Sequence, residues 1–182
     1  MIKFLDILKE SDDNIFIPRG SKEEKDKVFI RRTNDKIQEY IRNGSVGDLV
    51  LRGSPIKFLP RNLTKVGGKL NLMYSQIEKL PDNLRVNGSL DLDKCKNLKS
   101  LPDNLTVNGY LDLDSCKNLE SLPNGLKVKI FLDLRNTNLT SLPSDLEVDG
   151  ILILYRTPIA DMYTKEQIRE MVPGVTGMIK YD

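Results

Sequence analysis

Residues 101–123 read LPDNLTVNGYLDLDSCKNLESLP, and close variants of this stretch lie before and after it. The Leu-Pro step recurs with spacings of 21, 21, 21 and 20 residues, at Leu59, Leu80, Leu101, Leu122 and Leu142. A second series, Val-x-Gly-x-Leu-x-Leu or a near variant, begins at Val46, Val66, Val86, Val107, Val128, Val148 and Val175. A fixed period of about 20 to 29 residues is typical of a solenoid, in which each coil contacts only its neighbours.

The leucine pairs in each repeat predict short parallel strands. In Leu90-Asp91-Leu92 and its equivalents, apolar and polar residues alternate, which is the period of a strand with its leucines turned inward. The chain must cross over before it can pair in parallel, and the proline in each short crossover opposes a helix. We therefore expect a non-helical convex side and a concave sheet of about seven strands. These are predicted near residues 49–51, 70–72, 90–92, 111–113, 132–134, 152–154 and 179–181.

A small side chain occupies the same place in each repeat, three residues after the second strand leucine. The series is Ser54, Ser75, Cys95, Cys116, Thr137 and Thr157. We expect these side chains to hydrogen-bond backbone where the chain leaves the sheet. The two cysteines would stack about 5 Å apart on neighbouring coils, but parallel side chains are poorly directed for a disulfide. We therefore predict two reduced cysteines.

The repeat resembles the short bacterial and bacteriophage leucine-rich repeats that carry LP-x-x-L, such as those of secreted bacterial effectors. The resemblance covers residues 46–160 and implies an α/β solenoid of the leucine-rich repeat class. Ser, Cys or Thr stands where that pattern usually has Asn, and Ile130 stands where the other repeats have glycine. The ligase activity of such effectors is not implied, because their catalytic domain has no counterpart in this sequence.

Both ends of the repeat array carry sequences typical of caps, which cover the apolar edge of a terminal coil. Residues 1–45 are predicted to form a helical N-terminal capping region, with a helix from about 22 to 43 that a Ser-x-x-Glu capping box opens at Ser21. Residues 161–182 are predicted to form a C-terminal cap, in which a second capping box at Thr164 opens a short helix before a final strand.

Composition narrows the classes of partner. The net charge of +2 comes from 28 basic and 26 acidic residues, so no global field favours nucleic acid. No apolar run approaches the roughly 18 residues of a membrane span. Asp6 and Glu10 near the start do not suit a secretory signal. We expect a protein of the bacterial host cytoplasm that binds neither nucleic acid, membrane nor a small-molecule substrate.

An acidic cluster lies on the predicted concave face, at alternate strand positions that turn away from the core. Its members are Asp91, Asp93, Asp112, Asp114 and Asp133. Three interpretations are open: a solvated face that tolerates charge, a surface that binds a basic partner protein, or carboxylates for acid–base chemistry or a hard cation. The chain has no histidine, and we expect no catalytic residue, metal or cofactor. If the cluster binds a partner, replacing Asp91, Asp112 and Asp133 by Lys should slow association without unfolding the solenoid.

Aromatic and apolar side chains follow the acidic cluster toward the C-terminus. The series is Tyr110, Phe131, Ile151, Ile153 and Tyr155, with Arg135 among them. Aromatic residues beside charges are typical of hot spots in protein interfaces. The alternative is that Phe131, Ile151 and Ile153 pack beneath the C-terminal cap. We take Tyr110, Phe131, Arg135 and Tyr155, together with the five aspartates, as candidate partner-binding residues.

The sequence thus favours a non-enzymatic module that binds a partner protein on its concave face. A cation- or glycan-binding surface protein is a weaker alternative, because few exposed aromatics are expected there. A second alternative is a phage virion-associated or packaged internal head protein that acts on a host protein after injection. Residues 1–10, MIKFLDILKE, resemble the capsid-targeting peptides of such proteins, and this resemblance implies processing after Glu10. A helix packed on the N-terminal cap would explain the same apolar spacing.

Overall fold

The computed structural model describes residues 20–181, which wind into a parallel β-solenoid. Its larger sheet, the concave sheet, has seven strands that lie side by side in the order in which they occur along the chain. Strands of a second, smaller sheet alternate with most of them in the sequence. The seven are β1 (Leu49–Val50), β3 (Leu70–Asn71), β5 (Leu90–Asp91), β7 (Leu111–Asp112), β9 (Phe131–Asp133), β11 (Ile151–Ile153) and β12 (Ile179–Lys180).

The concave sheet confirms the seven predicted parallel strands. Every neighbouring pair is parallel, and the first buried leucines of successive strands are in register, as in Leu49 with Leu70 and Leu90 with Leu111. The strands are two or three residues long, and their bounds fall within one residue of the predicted segments. The period of the sequence therefore sets the strand register directly.

The structure contains a second parallel sheet of five strands, which the sequence pattern did not predict. Its strands are β2 (Lys65–Val66), β4 (Arg85–Val86), β6 (Thr106–Val107), β8 (Lys127–Val128) and β10 (Glu147–Val148). Each lies just before a strand of the concave sheet, with its valine buried and the preceding residue wholly or partly exposed. The Val-x-Gly-x-Leu-x-Leu stretch is thus two short strands with a corner between them.

Close approach of neighbouring coils explains the glycine at this corner. A Cβ added to Gly88 would lie 2.7 Å from the carbonyl carbon of Gly68 and 2.9 Å from the backbone nitrogen of Lys69, which leaves no room for a side chain. Ile130 occupies the equivalent corner two coils later, with its side chain turned to solvent and 54% exposed. The departure from glycine at that position therefore leaves both sheets intact.

Helix α1 (Lys22–Arg42) caps the first coil, as predicted. The capping box is present: Ser21 Oγ accepts from the Glu24 amide, and the Glu24 carboxylate accepts from the Ser21 amide. Ile37 is the buried residue of this helix, while the Tyr40 hydroxyl donates to Gly47 O at 2.8 Å. The predicted N-terminal targeting helix and the processing site at Glu10 lie outside the described residues and stay predictions.

Two helices, rather than the single one predicted, precede the last strand. Helix α2 (Pro158–Met162) begins at Thr157, whose hydroxyl accepts from the Ala160 amide. Helix α3 (Lys165–Met171) begins with the predicted capping box at Thr164. The extra helix arises because Pro158 suits the first turn of a helix, where no amide donor is needed.

The core is built from stacked leucine, isoleucine and valine side chains of every coil. The Ser, Cys and Thr residues that follow the strands are buried at one side of this core. Thr137 and Thr157 donate to backbone carbonyls within their own coil at 2.7 Å. The thiols of Cys95 and Cys116 donate to Leu72 O and Leu92 O at 3.0 and 3.1 Å. Both cysteines are free and buried, which confirms the reduced pair, and burial raises the pKa of the Cys95 thiol to about 11.

Candidate interaction face

Three rows of side chains turn outward from the concave sheet. The first row, before the first buried leucine of each strand, is Asp48, Lys69, Ser89, Tyr110, Phe131 and Ile151. The second row, between the two leucines, is Val50, Asn71, Asp91, Asp112, Asp133 and Ile153. The third row, after the second leucine, is Arg52, Met73, Asp93, Asp114, Arg135 and Tyr155. All nine candidate binding residues fall in these rows.

The expectation that the five aspartates are exposed is wrong for three of them. Asp91, Asp93 and Asp133 are 4%, 7% and 2% exposed. Cations from neighbouring positions lie on them: Lys69 Nζ is 3.0 Å from Asp91 Oδ2, and Lys94 Nζ is 3.1 Å from Asp93 Oδ2. Replacing such buried, paired carboxylates by lysine would leave like charges together in the sheet, so the triple replacement is not a clean test of binding.

The second row also has a structural function that the sequence analysis missed. The side-chain oxygen of each Asx residue in this row accepts a hydrogen bond from the amide two residues later in the chain. The distances are 3.0 Å for Asn71, 3.3 Å for Asp91, 3.0 Å for Asp112 and 3.0 Å for Asp133. These Asx turns end each strand, and they explain why the Leu-Asp-Leu pattern recurs without reference to a ligand.

Asp112 differs from its neighbours because no cation within residues 20–181 pairs with it. Burial raises the pKa of its carboxyl to about 6, and the negative charges of Asp133, Asp91 and Asp93 add to the shift. Asp114 is half-buried and accepts from Asn136 Nδ2 at 2.7 Å, while Arg135 approaches it at 3.8 Å. Asp112 is therefore the unneutralised carboxylate at the centre of the face.

Arg135 is held mainly by Asp133. Its Nη2 lies 2.6 Å from Asp133 Oδ2, and its Nε lies 2.9 Å from Asp133 Oδ1. This paired geometry raises the pKa of the guanidinium. The five aspartates carry five negative charges and the three cations on them, Lys69, Lys94 and Arg135, carry three positive charges. With all eight groups ionised, the centre of the face keeps an excess of two negative charges.

Tyr110 and Phe131 form a stacked pair beside this acidic centre. Their ring centroids are 4.8 Å apart and their planes differ by 5°. Lys69 reaches across Ser89 in the first row and places Nζ 5.3 Å from the Tyr110 centroid. Burial lowers the pKa of Lys69, but its contacts with Tyr110 and Asp91 outweigh that effect and raise it. Both rings remain partly exposed at the surface of the sheet.

A second aromatic site lies at the turn after the strands. The Lys94 ammonium is 4.9 Å from the Tyr74 ring centroid and donates to the Tyr74 hydroxyl at 3.1 Å. Arg52 also lies near this ring, at 5.6 Å. Sequence reasoning missed this group. The signal that could have found it is the repeat itself, since Tyr74 and Lys94 occupy equivalent positions on neighbouring coils.

Tyr155 lies at the C-terminal end of the third row, where Arg135 stands between it and the acidic centre. With Tyr181 it lines two adjoining open clefts of about 390 and 570 Å³. Ile151 and Ile153 are half-buried, so the C-terminal cap does not cover them fully. The structure therefore brings Asp112, Tyr110 and Phe131 together and places Tyr155 in a separate cleft.

Within residues 20–181, no group of three Asp, Glu or Cys side chains is arranged to hold a metal ion. None of the helices in the same range is long and apolar enough to cross a membrane.

Comparison with known proteins gives no match, whether to a family model, to a curated protein or to a solved structure. The face is therefore interpreted from its own geometry.

Proposed function

We propose that this protein is a non-enzymatic interaction module and that the concave face binds a partner protein around Tyr110 and Phe131. The observation that carries the proposal is the stacked pair itself, two partly exposed rings 4.8 Å apart on a rigid sheet. Ile151 is the register neighbour of Phe131, and Ile153 follows Asp133 in the second row, which extends the apolar surface toward the C-terminus.

Contacts within the protein hold both rings in place without a partner. Lys69 lies over Tyr110, Tyr110 stacks on Phe131, and the backbone of both strands is held in the sheet. A preordered aromatic side chain loses little conformational entropy when a partner covers it, so more of the burial energy remains for affinity. Aromatic residues in such settings commonly dominate the energetics of an interface.

The carboxylate of Asp112 favours a partner with a positively charged surface. Asp112 belongs to β7, two residues after Tyr110, and no cation of the described residues pairs with its carboxylate. A lysine or arginine on the partner would pair with Asp112 while an apolar group beside it covers the rings. The excess of negative charge would also steer a basic surface toward the face.

The proposal also includes the type of repeat and the place where the protein acts. The likeness of the LP-x-x-L pattern to leucine-rich repeats supports the same function class, since solenoids present extended concave binding surfaces. The packaged phage protein is the alternative setting, and it rests on residues 1–10 alone. Mass spectrometry of purified particles tests it: the protein cleaved after Glu10 would support packaging, and its absence would reject it.

A double variant tests the binding face. The protein and its Tyr110→Ala/Phe131→Ala variant are immobilised in equal amounts, and proteins retained from an extract of the producing cells are quantified by mass spectrometry. We expect at least one protein to bind the wild type and its retained amount to fall at least about tenfold with the variant, because truncating even one hot-spot residue costs about 2 kcal/mol or more, which is about thirtyfold in Kd.

Phe58→Ala is the matched control, because Phe58 is 59% exposed and lies outside the concave sheet. This variant should retain the same protein at the wild-type level. Circular dichroism spectra must agree among the three proteins. Equal retention by all three, with unchanged spectra, would reject the concave face as the binding surface.

A further inference from the structure

The charge of the molecule changes sign at the C-terminal end of the concave sheet. Among residues 20–181, the two clefts that share Tyr155 and Tyr181 are lined by five cationic side chains and one carboxylate, that of Asp161. The cations are Arg135, Arg156, Lys165, Arg169 and Lys180. An anionic ligand is therefore the kind that complements this surface.

Three of these cations are engaged within the protein. Arg135 is paired with Asp133, Arg169 donates to Val175 O at 3.2 Å and to Gly177 O at 3.0 Å, and Lys165 lies 4.9 Å from the Tyr181 ring centroid. Arg156 and Lys180 make no side-chain hydrogen bond or ion pair within residues 20–181. Among the described residues, these two cations are therefore the ones left available to a ligand.

The repeat geometry explains why Arg156 lacks an acceptor. Arg156 is the last of a series of residues with positive φ at the turn after the strands, at Tyr74, Lys94, Ser115, Asn136 and Arg156. In the preceding coils, third-row aspartates accept hydrogen bonds from the side chains of this series: Asp93 accepts from Lys94, and Asp114 accepts from Ser115 and Asn136. In the last two coils the third row carries Arg135 and Tyr155 instead, so no aspartate of that row lies beside Arg156.

We propose that this C-terminal cleft binds a carboxylate-rich segment of a partner protein. The Arg156 guanidinium would take a carboxylate in a two-point hydrogen bond, Lys180 would pair with a second, and the two tyrosine rings would contact the apolar parts of the segment. This site goes beyond the proposed function, which concerns the aromatic pair and Asp112. The acidic centre next to the cleft disfavours a nucleic acid, because a polyanionic backbone that followed the face would meet Asp93, Asp112 and Asp114.

A synthetic peptide tests the cleft directly. The probe is a capped hexapeptide of five glutamates and one phenylalanine, and its binding to ¹⁵N-labelled full-length protein is followed by amide chemical shifts at low salt. We expect saturable shifts at Tyr155, Arg156 and Lys180, and a peptide with glutamine in place of glutamate should cause none. The Arg156→Asn/Lys180→Gln variant should raise the Kd at least about tenfold, since two charge-assisted contacts are lost. Asn is chosen at residue 156 because it tolerates positive φ.

The control is Lys79→Gln/Lys96→Gln, which removes the same number of positive charges from exposed positions outside the concave sheet. It should bind the acidic peptide as the wild type does. An equal loss in both double variants would mean that net charge, not the cleft, binds the peptide, and would overturn the proposal. Absence of shifts, or tighter binding of a six-residue oligothymidylate than of the peptide, would overturn it as well.

Discussion

Asp112 combines a structural contact with an electrostatic penalty. Its carboxylate ends the strand by accepting the Asp114 amide, yet it lies between two other aspartates of the same row without a cation of its own. Burial raises the pKa of Asp112 to about 6. A carboxyl whose pKa is higher in the folded than in the unfolded chain binds its proton more tightly when folded. The ionised form therefore destabilises the fold above pH 6, and the penalty disappears as the pH falls toward 4.

We predict that Asp112→Asn stabilises the protein at pH 7.5. The amide oxygen can still accept the Asp114 amide, while the repulsion within the row is removed. Each unit of pKa shift corresponds to about 1.4 kcal/mol, and the partial exposure of Asp112 reduces the effect to the order of 1 kcal/mol. Urea unfolding at pH 7.5 and pH 4.5 measures it. The gain should be present at pH 7.5 and nearly absent at pH 4.5, whereas Asp103→Asn, at an exposed position outside the sheets, should show no such pH dependence.

A gain at pH 4.5 equal to that at pH 7.5 would contradict the electrostatic origin. So would a variant less stable than the wild type at pH 7.5. The same substitution should also affect partner binding, because a cationic group of the partner would offset the repulsion that Asp112 experiences in the free protein. Asp112→Asn should therefore weaken partner binding at pH 7.5 while it stabilises the free protein.

At the scale of the coil, the corner between the two sheets decides which residues the repeat allows. We predict that Gly88→Ala destabilises the solenoid by about 2 kcal/mol, because the added methyl group meets the backbone of Gly68 and Lys69 rather than a side chain that could move. Ile130→Ala is the control, since that corner already holds an exposed side chain. Thermal unfolding of both variants gives the comparison, and a Gly88→Ala variant as stable as the wild type would show that the coils can separate there.

The elements differ in how far the sequence predicts them. The concave strands and helix α1 follow from long-range periodicity and from a capping box, two signals that several residues share. The second sheet does not, because each of its two-residue strands has a single buried residue, such as Val66 in Lys65–Val66, and one apolar residue makes no alternating pattern. The concave strands instead belong to stretches with two buried leucines, such as Leu90 and Leu92. Helix α2 has only five residues, and its signal is Thr157 followed by Pro158, which serves equally well in a turn.

For the whole molecule, side-chain direction could be predicted but exposure could not. The period-two pattern places all the candidate residues on the concave sheet, where the structure finds them. It does not show that Lys69 reaches Asp91 on the next coil, or that Arg135 folds back onto Asp133 in its own coil, because both contacts depend on long, flexible side chains. Aligning the repeats in register would have predicted these ion pairs, since Lys69 and Arg135 each lie in a row adjacent to the row of their aspartate.

The central claim is that a partner protein occupies the concave face at the aromatic pair, and photo-cross-linking from residue 131 tests it most directly. p-Benzoylphenylalanine is introduced in place of Phe131 or, as a control, in place of Phe58, which is 59% exposed and therefore the more accessible of the two rings. After irradiation in the producing cells, we predict a discrete adduct with one protein from position 131 and none with that protein from position 58. An adduct pattern that is the same at both positions, or no adduct at position 131, would contradict the claim.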